Sequence, residues 1–294
     1  YLSTTTMSAE PIEEIGENGY EAAIKNQIEE LKNRLQNPVI PSEDAGNFER
    51  HGLLCKGGFG RVLKVSRGSE ETFYAMKQIC KREMENKVVY KNIKQERDIL
   101  VAVKFHFIVK LLWCCKDDFS LYFIFELANC GDLLDFMDHQ TLAESQVWFY
   151  IAQIVIAVEY LHGGSIMHRD IKPDNILVCS DGYIKVTDFN LSKHLRDGIR
   201  THTACGTPGY IAPEVQIQIR AGYTFSVDFY SVGAVTKKII YKNLEKRNTA
   251  SAASGVREEV SETSEQFIRV MTLTDPNKRL GANGAQEVRR HPFF

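Results

Sequence analysis

The chain has 294 residues, 44% hydrophobic and 25% charged, which is more apolar material than one small core requires and suits two lobes of ordinary size. A formal net charge of −2 at pH 7 supplies no overall basic field, so nucleic acid is not an implied partner. Seven cysteines, odd in number and without paired CxxC spacing, argue against a disulfide framework and lead to the expectation of reduced thiols in the cytoplasm or nucleus.

Residues 1 to 47 read as an acidic N-terminal extension; up to residue 49 there are ten Asp or Glu against three Lys or Arg. The opening YLSTTTMSAEPIEE has neither the basic nor the apolar region of a secretory signal. Further on, Ile24, Ile28, Leu31 and Leu35 fall at steps of four, three and four, one stripe of a helix, and Asn37-Pro38 ends it. Fewer than three heptads are present, so the expectation is a solvated helix on the domain surface rather than a coiled coil.

From Phe48 the pattern turns to strands. HGLLCK and RVLKVSR flank a glycine cluster as a hairpin does, ETFYAMKQIC is a further strand, and KNIKQERDILVAV has helical spacing through Ile93, Glu96 and Leu100. LYFIFEL (121 to 127) reads as a buried strand. After NCGD (129 to 132) the chain turns mainly helical, which places a lobe boundary near Leu127 or Ala128. VWFYIAQIVIAVEYL (147 to 161) carries Gln153 and Glu159 and is shorter than a membrane span, so no transmembrane segment is expected and a buried helix is. The small-residue stretch TASAASG (249 to 255) reads as a loop.

The most informative chemistry lies in HRDIKPDN (168 to 175) and TDF (187 to 189). Within about twenty residues they supply a candidate base (Asp170), a cation for phosphate oxygens (Lys172) and two hard oxygen ligands for a metal (Asn175 and Asp188), the set that phosphoryl transfer needs. Gly57, Gly58 and Gly60 of KGGFGRV would let backbone N–H groups approach phosphate without interference from a Cβ.

The octet resembles the catalytic loop of eukaryotic protein kinases. KGGFGRV (56 to 62), YAMK (74 to 77) and APE (212 to 214) resemble that family's other signatures, in the family's order, from about Phe48 to Phe294. The resemblance implies an α+β bilobal fold: a small β-rich N-lobe with one main helix over 48 to 127, and a larger, mainly helical C-lobe over 128 to 294. It also implies a serine/threonine protein kinase that uses ATP and Mg²⁺ and acts on protein substrates, since Lys172 two residues after Asp170 is the Ser/Thr pattern. ERDIL, ACGTPGYIAPE, KRLG and HPFF are similar to the AGC group, which contains cAMP-dependent kinase, protein kinase C and the receptor kinases.

By that resemblance Cys55, Lys56, Gly57, Gly58, Phe59 and Gly60 form the loop over the nucleotide. Val62 and Ala75 roof the adenine, Leu177 floors it, Phe125 is the gatekeeper, and Glu126 to Ala128 form the hinge. Lys77 is the lysine for the α- and β-phosphates and Glu96 its partner. Asp132 borders the nucleotide pocket and, with Asp174 and Lys238, stands where cAMP-dependent relatives recognise arginines of the peptide. Thr203 aligns with the phosphorylated activation-loop residue, which implies an upstream kinase as a partner, with Arg169 and Lys193 as its cations. Thr207 resembles the residue contacting the catalytic Asp, Asp228 the brace of the HRD backbone, and Arg279 the partner of Glu214.

Three departures stand out. Cys55 replaces the first glycine of GxGxxG, Asn190 replaces the glycine of DFG, and the stretch from Gly233 to Thr274 is short and polar, which puts a substrate-docking helix in doubt. Asn tolerates positive φ better than other non-glycine residues, so the expectation at Asn190 is altered switching or a slower enzyme. The alternative reading is a pseudokinase, a scaffold or allosteric module that binds nucleotide without transferring phosphate.

Overall fold

The computed structural model describes residues 17–57, 60–68, 71–195, 200–217, 221–250 and 258–294. Strands β1 (Phe48–Gly57), β2 (Gly60–Arg67), β3 (Phe73–Cys80), β4 (Leu111–Lys116) and β5 (Ser120–Glu126) form an antiparallel sheet in the order β1-β2-β3-β5-β4. Alternation along the strands gives the sheet two apolar faces. Val65, Met76, Tyr122 and Ile124 pack with Phe48 on one, while Ile79, Phe123 and Phe125 meet helix α2 (Lys87–Ala102) on the other. Helix α2 starts where Asn86 accepts from the Val88 N–H at 2.9 Å, and its inner face buries Ile93, Glu96, Ile99 and Leu100.

Past β5 the chain is mostly helical: α3 (Leu133–His139), α4 (Glu144–Gly163), α5 (Pro213–Ile217), α6 (Ser226–Ala250), α7 (Glu262–Met271) and α8 (Ala285–Arg289). Short antiparallel pairs join β6 (Ile166–Met167) to β9 (Lys193–His194) and β7 (Ile176–Val178) to β8 (Ile184–Val186), and these ladders carry the candidate site. Helix α4 buries Ile151, Ile154, Val155 and Val158 at 0–1% exposure. Among the described residues no helix is long and apolar enough to cross a membrane.

Two expectations from the sequence change. Helix α6 runs unbroken for 25 residues to Ala250, so the start of TASAASG is helical and not loop; the rest of that stretch lies outside the described residues. The Thr249 hydroxyl donates back to the Glu245 carbonyl at 2.8 Å, and Asn248 bonds both backbone groups of Glu258, which secures the last turn.

The N-terminal helix, α1 (Glu17–Gln36), is more than a solvated surface helix. Leu31 is fully buried and Ile24 nearly so. Close approach is possible because Gly163 and Gly164 end α4: a Cβ on the first would strike Ile28, and on the second Leu31. Polar ties then join α1 to both halves of the molecule. Arg34 donates to the Ala102 carbonyl at the end of α2 (2.7 Å) and to the Tyr160 hydroxyl on α4 (3.1 Å), and the Tyr20 hydroxyl donates to Glu159 (2.8 Å).

Candidate active site

Lys77 on β3 faces Glu96 on α2 across a 2.5 Å ion pair in which the lysine is 15% and the glutamate 2% exposed. Burial pushes the Glu96 carboxyl above the ordinary carboxylate range, and the charge and hydrogen bond of Lys77 oppose that rise. Lys77 also donates to the Asn190 side-chain oxygen at 2.6 Å and stands 3.9 Å from Asp188. Asn190 does not occupy the left-handed region; the positive φ in this turn belongs to Asp188, at 62°. What distinguishes Asn190 is therefore a side-chain contact and not the backbone freedom expected of it.

The glycine loop closes on the Gly57–Gly60 pair, while Gly58 and Phe59 lie outside the described residues. Gly60 has φ of 145°, and a Cβ there would run into the Gln78 carbonyl on β3. The neighbouring strand demands this glycine, independently of any phosphate. Lys56 pairs with Arg61 in the same ladder, and register sets Cys55 opposite Val62 and Val62 opposite Lys77. Partial desolvation raises the Cys55 thiol pKa, and the carboxylates of Asp188 and Asp132 add to the rise, so this side chain shares the cleft with both.

Phe125 is buried and pairs with Ala75, whose own side chain is half-buried. The Glu126 carboxylate turns to the Lys110 N–H (2.7 Å) and Lys185 (3.1 Å), so any part it has at the cleft belongs to its backbone, as for Ala128 after it. Asp132 caps α3 by accepting from the Asp135 N–H at 2.9 Å, forms a bridge with Leu177, and has its pKa raised by burial.

The HRD loop is held from below. Asp228, fully buried on α6, accepts from the backbone N–H groups of His168 (2.9 Å) and Arg169 (2.7 Å) and from His162 (2.8 Å). Burial works to raise its pKa, but the hydrogen bonds from His162 and from the Arg169 backbone help bring it below the usual value. Arg169 has φ of 68°, a conformation that L-residues avoid, and the two anchored amides offset its cost. Burial lowers the His168 pKa. Its Nδ1 accepts the Asp170 N–H (3.3 Å) and its Nε2 donates to the Thr187 carbonyl (3.0 Å), an arrangement only the neutral ring supports, with Phe189 edge-on at 4.9 Å.

Asp170 is surrounded by donors. Thr207 donates to Oδ1 at 2.7 Å, Asn175 to Oδ2 at 3.0 Å, and Lys172 lies 3.3 Å from Oδ2 while also donating to Thr207 at 2.9 Å. The Asn175 carbonyl accepts the Thr187 N–H at 2.9 Å, which puts Asp188 beside Asn175 at the end of the β7–β8 ladder. Because the Asn175 amide nitrogen is taken by Asp170, its oxygen is left for a cation. Among the described residues no cluster of three or more His, Cys, Asp or Glu could hold a metal by itself. One amide oxygen and one carboxylate fit Mg²⁺, which binds through one or two protein oxygens plus waters and phosphates.

The activation segment is tied to this centre. Arg169 donates to the Leu191 carbonyl (2.6 Å) and the Tyr223 hydroxyl (3.2 Å); that hydroxyl in turn donates to the Thr203 carbonyl at 2.6 Å. Lys193 donates to the Thr201 hydroxyl at 2.9 Å, and its pKa is lowered by burial and then by Arg169 and Lys91. Thr203 itself has an exposed side chain and does not meet Lys193 here; Thr201 does. Glu214 and Arg279 form a bidentate buried pair at 2.6 and 2.8 Å. The roles of Thr201, Tyr223 and the Asn190 side chain are not visible in the sequence, because each depends on contacts fixed only by the fold.

Residues 48–294 match the family model described as the protein kinase domain. The chain belongs to the protein kinase family. It is 35% identical over 267 residues to a probable serine/threonine-protein kinase of Dictyostelium discoideum, covering 87% of this chain and 58% of that one. It is 36% identical over 250 residues to cAMP-dependent protein kinase catalytic subunit 3 of Drosophila melanogaster (81% and 42%), and 35% identical over 267 residues to mouse ribosomal protein S6 kinase alpha-2 (85% and 36%). The chain thus spans between about a third and three fifths of the length of these relatives. Membership makes a β-sheet lobe over a helical lobe the family's own architecture.

Proposed function

We propose that this chain is an ATP-dependent serine/threonine protein kinase, with an N-lobe over 48–127, a C-lobe over 128–294 and residues 1–47 as an extension. The observation that carries the reading is the closed triangle of Asp170, Lys172 and Thr207 beside a formed Lys77–Glu96 pair. Lys77 binds the α- and β-phosphates, Lys172 the transferring phosphoryl group, and Asp170 takes the acceptor hydroxyl's proton. Asn175 and Asp188 hold Mg²⁺, which when bound neutralises charge on the phosphate oxygens. Val62, Ala75, Leu177 and the 126–128 backbone enclose the adenine, with Phe125 closing the space behind it and the Cys55 to Gly60 loop covering the phosphates.

Thr203 is the proposed site of an upstream kinase, supported by its exposure and by Arg169 of the HRD loop, which donates to the same Tyr223 hydroxyl that donates to the Thr203 carbonyl; Lys193, now on Thr201, is the second proposed cation. Asp132 and Asp174 favour a basic residue about three before the acceptor, whereas exposed Lys238 leaves the chain indifferent or averse to Arg two before it. Seven unpaired thiols suit a reducing compartment, cytoplasm or nucleus.

The test is incubation with Mg·ATP and a serine peptide library carrying basic residues at varied positions. Phosphate transfer that prefers one basic residue is the expected result. ATP binding without transfer by protein phosphorylated at Thr203 would favour a nucleotide-binding scaffold instead.

A further inference from the structure

Lys77 is held from two sides. Glu96 on α2 takes one of its three ammonium protons and the Asn190 carboxamide oxygen, at 2.6 Å, takes a second, which leaves one for a phosphate oxygen. Asn190 sits two residues after Asp188, and Asp188 at 3.9 Å from the lysine is outside hydrogen-bond reach. The same turn is tied to α2 a second time: Gln95, next to Glu96, donates to the Ser192 carbonyl at 2.5 Å. A glycine at 190 has no side chain with which to make the first of these ties.

From this geometry we propose that Asn190 is a positioning residue for Lys77, its carboxamide joining the phosphate-binding lysine, the α2 glutamate and the metal-binding turn into one preformed unit. The inference rests on the kinase reading for its consequence, but the contact it invokes exists without nucleotide. The ammonium is kept near the cleft and prevented from closing onto Asp188, whose carboxylate stays available to a cation. A neutral acceptor suits this task. It orients the lysine through a charge-assisted hydrogen bond and adds no negative charge beside the phosphates.

The test is a double-mutant cycle on the full chain, read both without ligand and by calorimetric binding of Mg·ATP. Asn190→Ala in the native background is expected to raise the unfolding equilibrium constant of the ligand-free protein about tenfold and to weaken Mg·ATP binding about tenfold, each equivalent to ~1.4 kcal/mol. In a Lys77→Met background both effects should shrink below about twofold, because the carboxamide then has no ammonium to hold. Should Lys77→Met fold poorly through its unpaired Glu96, the Lys77→Met/Glu96→Gln pair supplies the background. Turnover at saturating Mg·ATP should change less than KM.

Equal losses with and without Lys77 would overturn the proposal, as would no loss in the native background. Absence of any Mg·ATP binding by the native chain would instead sink the kinase reading, while the ligand-free cycle would still report whether Asn190 holds Lys77.

Discussion

Leu31→Ala tests whether α1 is part of the folded unit. Leu31 is 0% exposed and lies over Gly164, where a Cβ would meet its side chain. Truncating a fully buried leucine removes its transfer free energy and leaves a cavity, together about 2–5 kcal/mol. For a domain of this size that is a fall in Tm of roughly 2–4 °C per kcal/mol, so roughly 4–20 °C in all. Gly164→Ala attacks the same contact from the other side by overpacking, at about 1–3 kcal/mol. Combined, the two changes should cost less than their sum, since the new methyl group enters the space the leucine vacates. Urea unfolding of the four proteins measures the coupling. Strict additivity, or a Leu31→Ala loss below about 0.5 kcal/mol, would refute the seating of α1 on the end of α4.

Asp170→Asn should lower turnover by roughly 10²–10⁴-fold, the usual range for a general base, without shifting the unfolding midpoint; a rate assay beside a thermal melt checks both. Arg279→Met breaks the bidentate pair with Glu214 and leaves a carboxylate 3% exposed without its partner, which should cost about 3–5 kcal/mol in urea unfolding. His168 has a pKa lowered by burial, so the unfolded chain takes up a proton near pH ~6.5 while the folded ring stays neutral. The stability linked to His168 is therefore complete above that pH and lost as pH falls toward the lowered folded value. His168→Phe should flatten this part of the stability profile between pH 7.5 and 5.5, and an unchanged slope would contradict the neutral assignment.

Much of the site was legible because its chemistry is local in sequence. HRDIKPDN places Asp170, Lys172 and Asn175 within one loop, and the strand and helix patterns around Lys77 and Glu96 mark their elements. The rest was hidden for definable reasons. Gly60 looked like a residue freed for phosphate, whereas the pressure on it comes from the Gln78 carbonyl of an adjacent strand, a neighbour that only the sheet register reveals. Asn190 suggested a backbone conformation because residue type speaks to φ; its partner is 113 positions away. The stripe on α1 was readable, but the two glycines that receive it lie at the C-terminal end of α4, and nothing in the stripe itself points to them.

The left-handed turn at Arg169 has a consequence for how the site comes into being. Its two bracing hydrogen bonds reach Asp228, 59 and 60 residues further along the chain. Local sequence around the loop cannot supply that carboxylate, and loop closure over such a separation carries an entropic cost that must be met by packing. During synthesis the proposed base and metal ligands leave the ribosome well before the residue that shapes their loop, so the geometry of the candidate site forms only once the start of α6 has been made and has docked. A chain truncated before residue 228 should have the chemical groups of the site without its geometry.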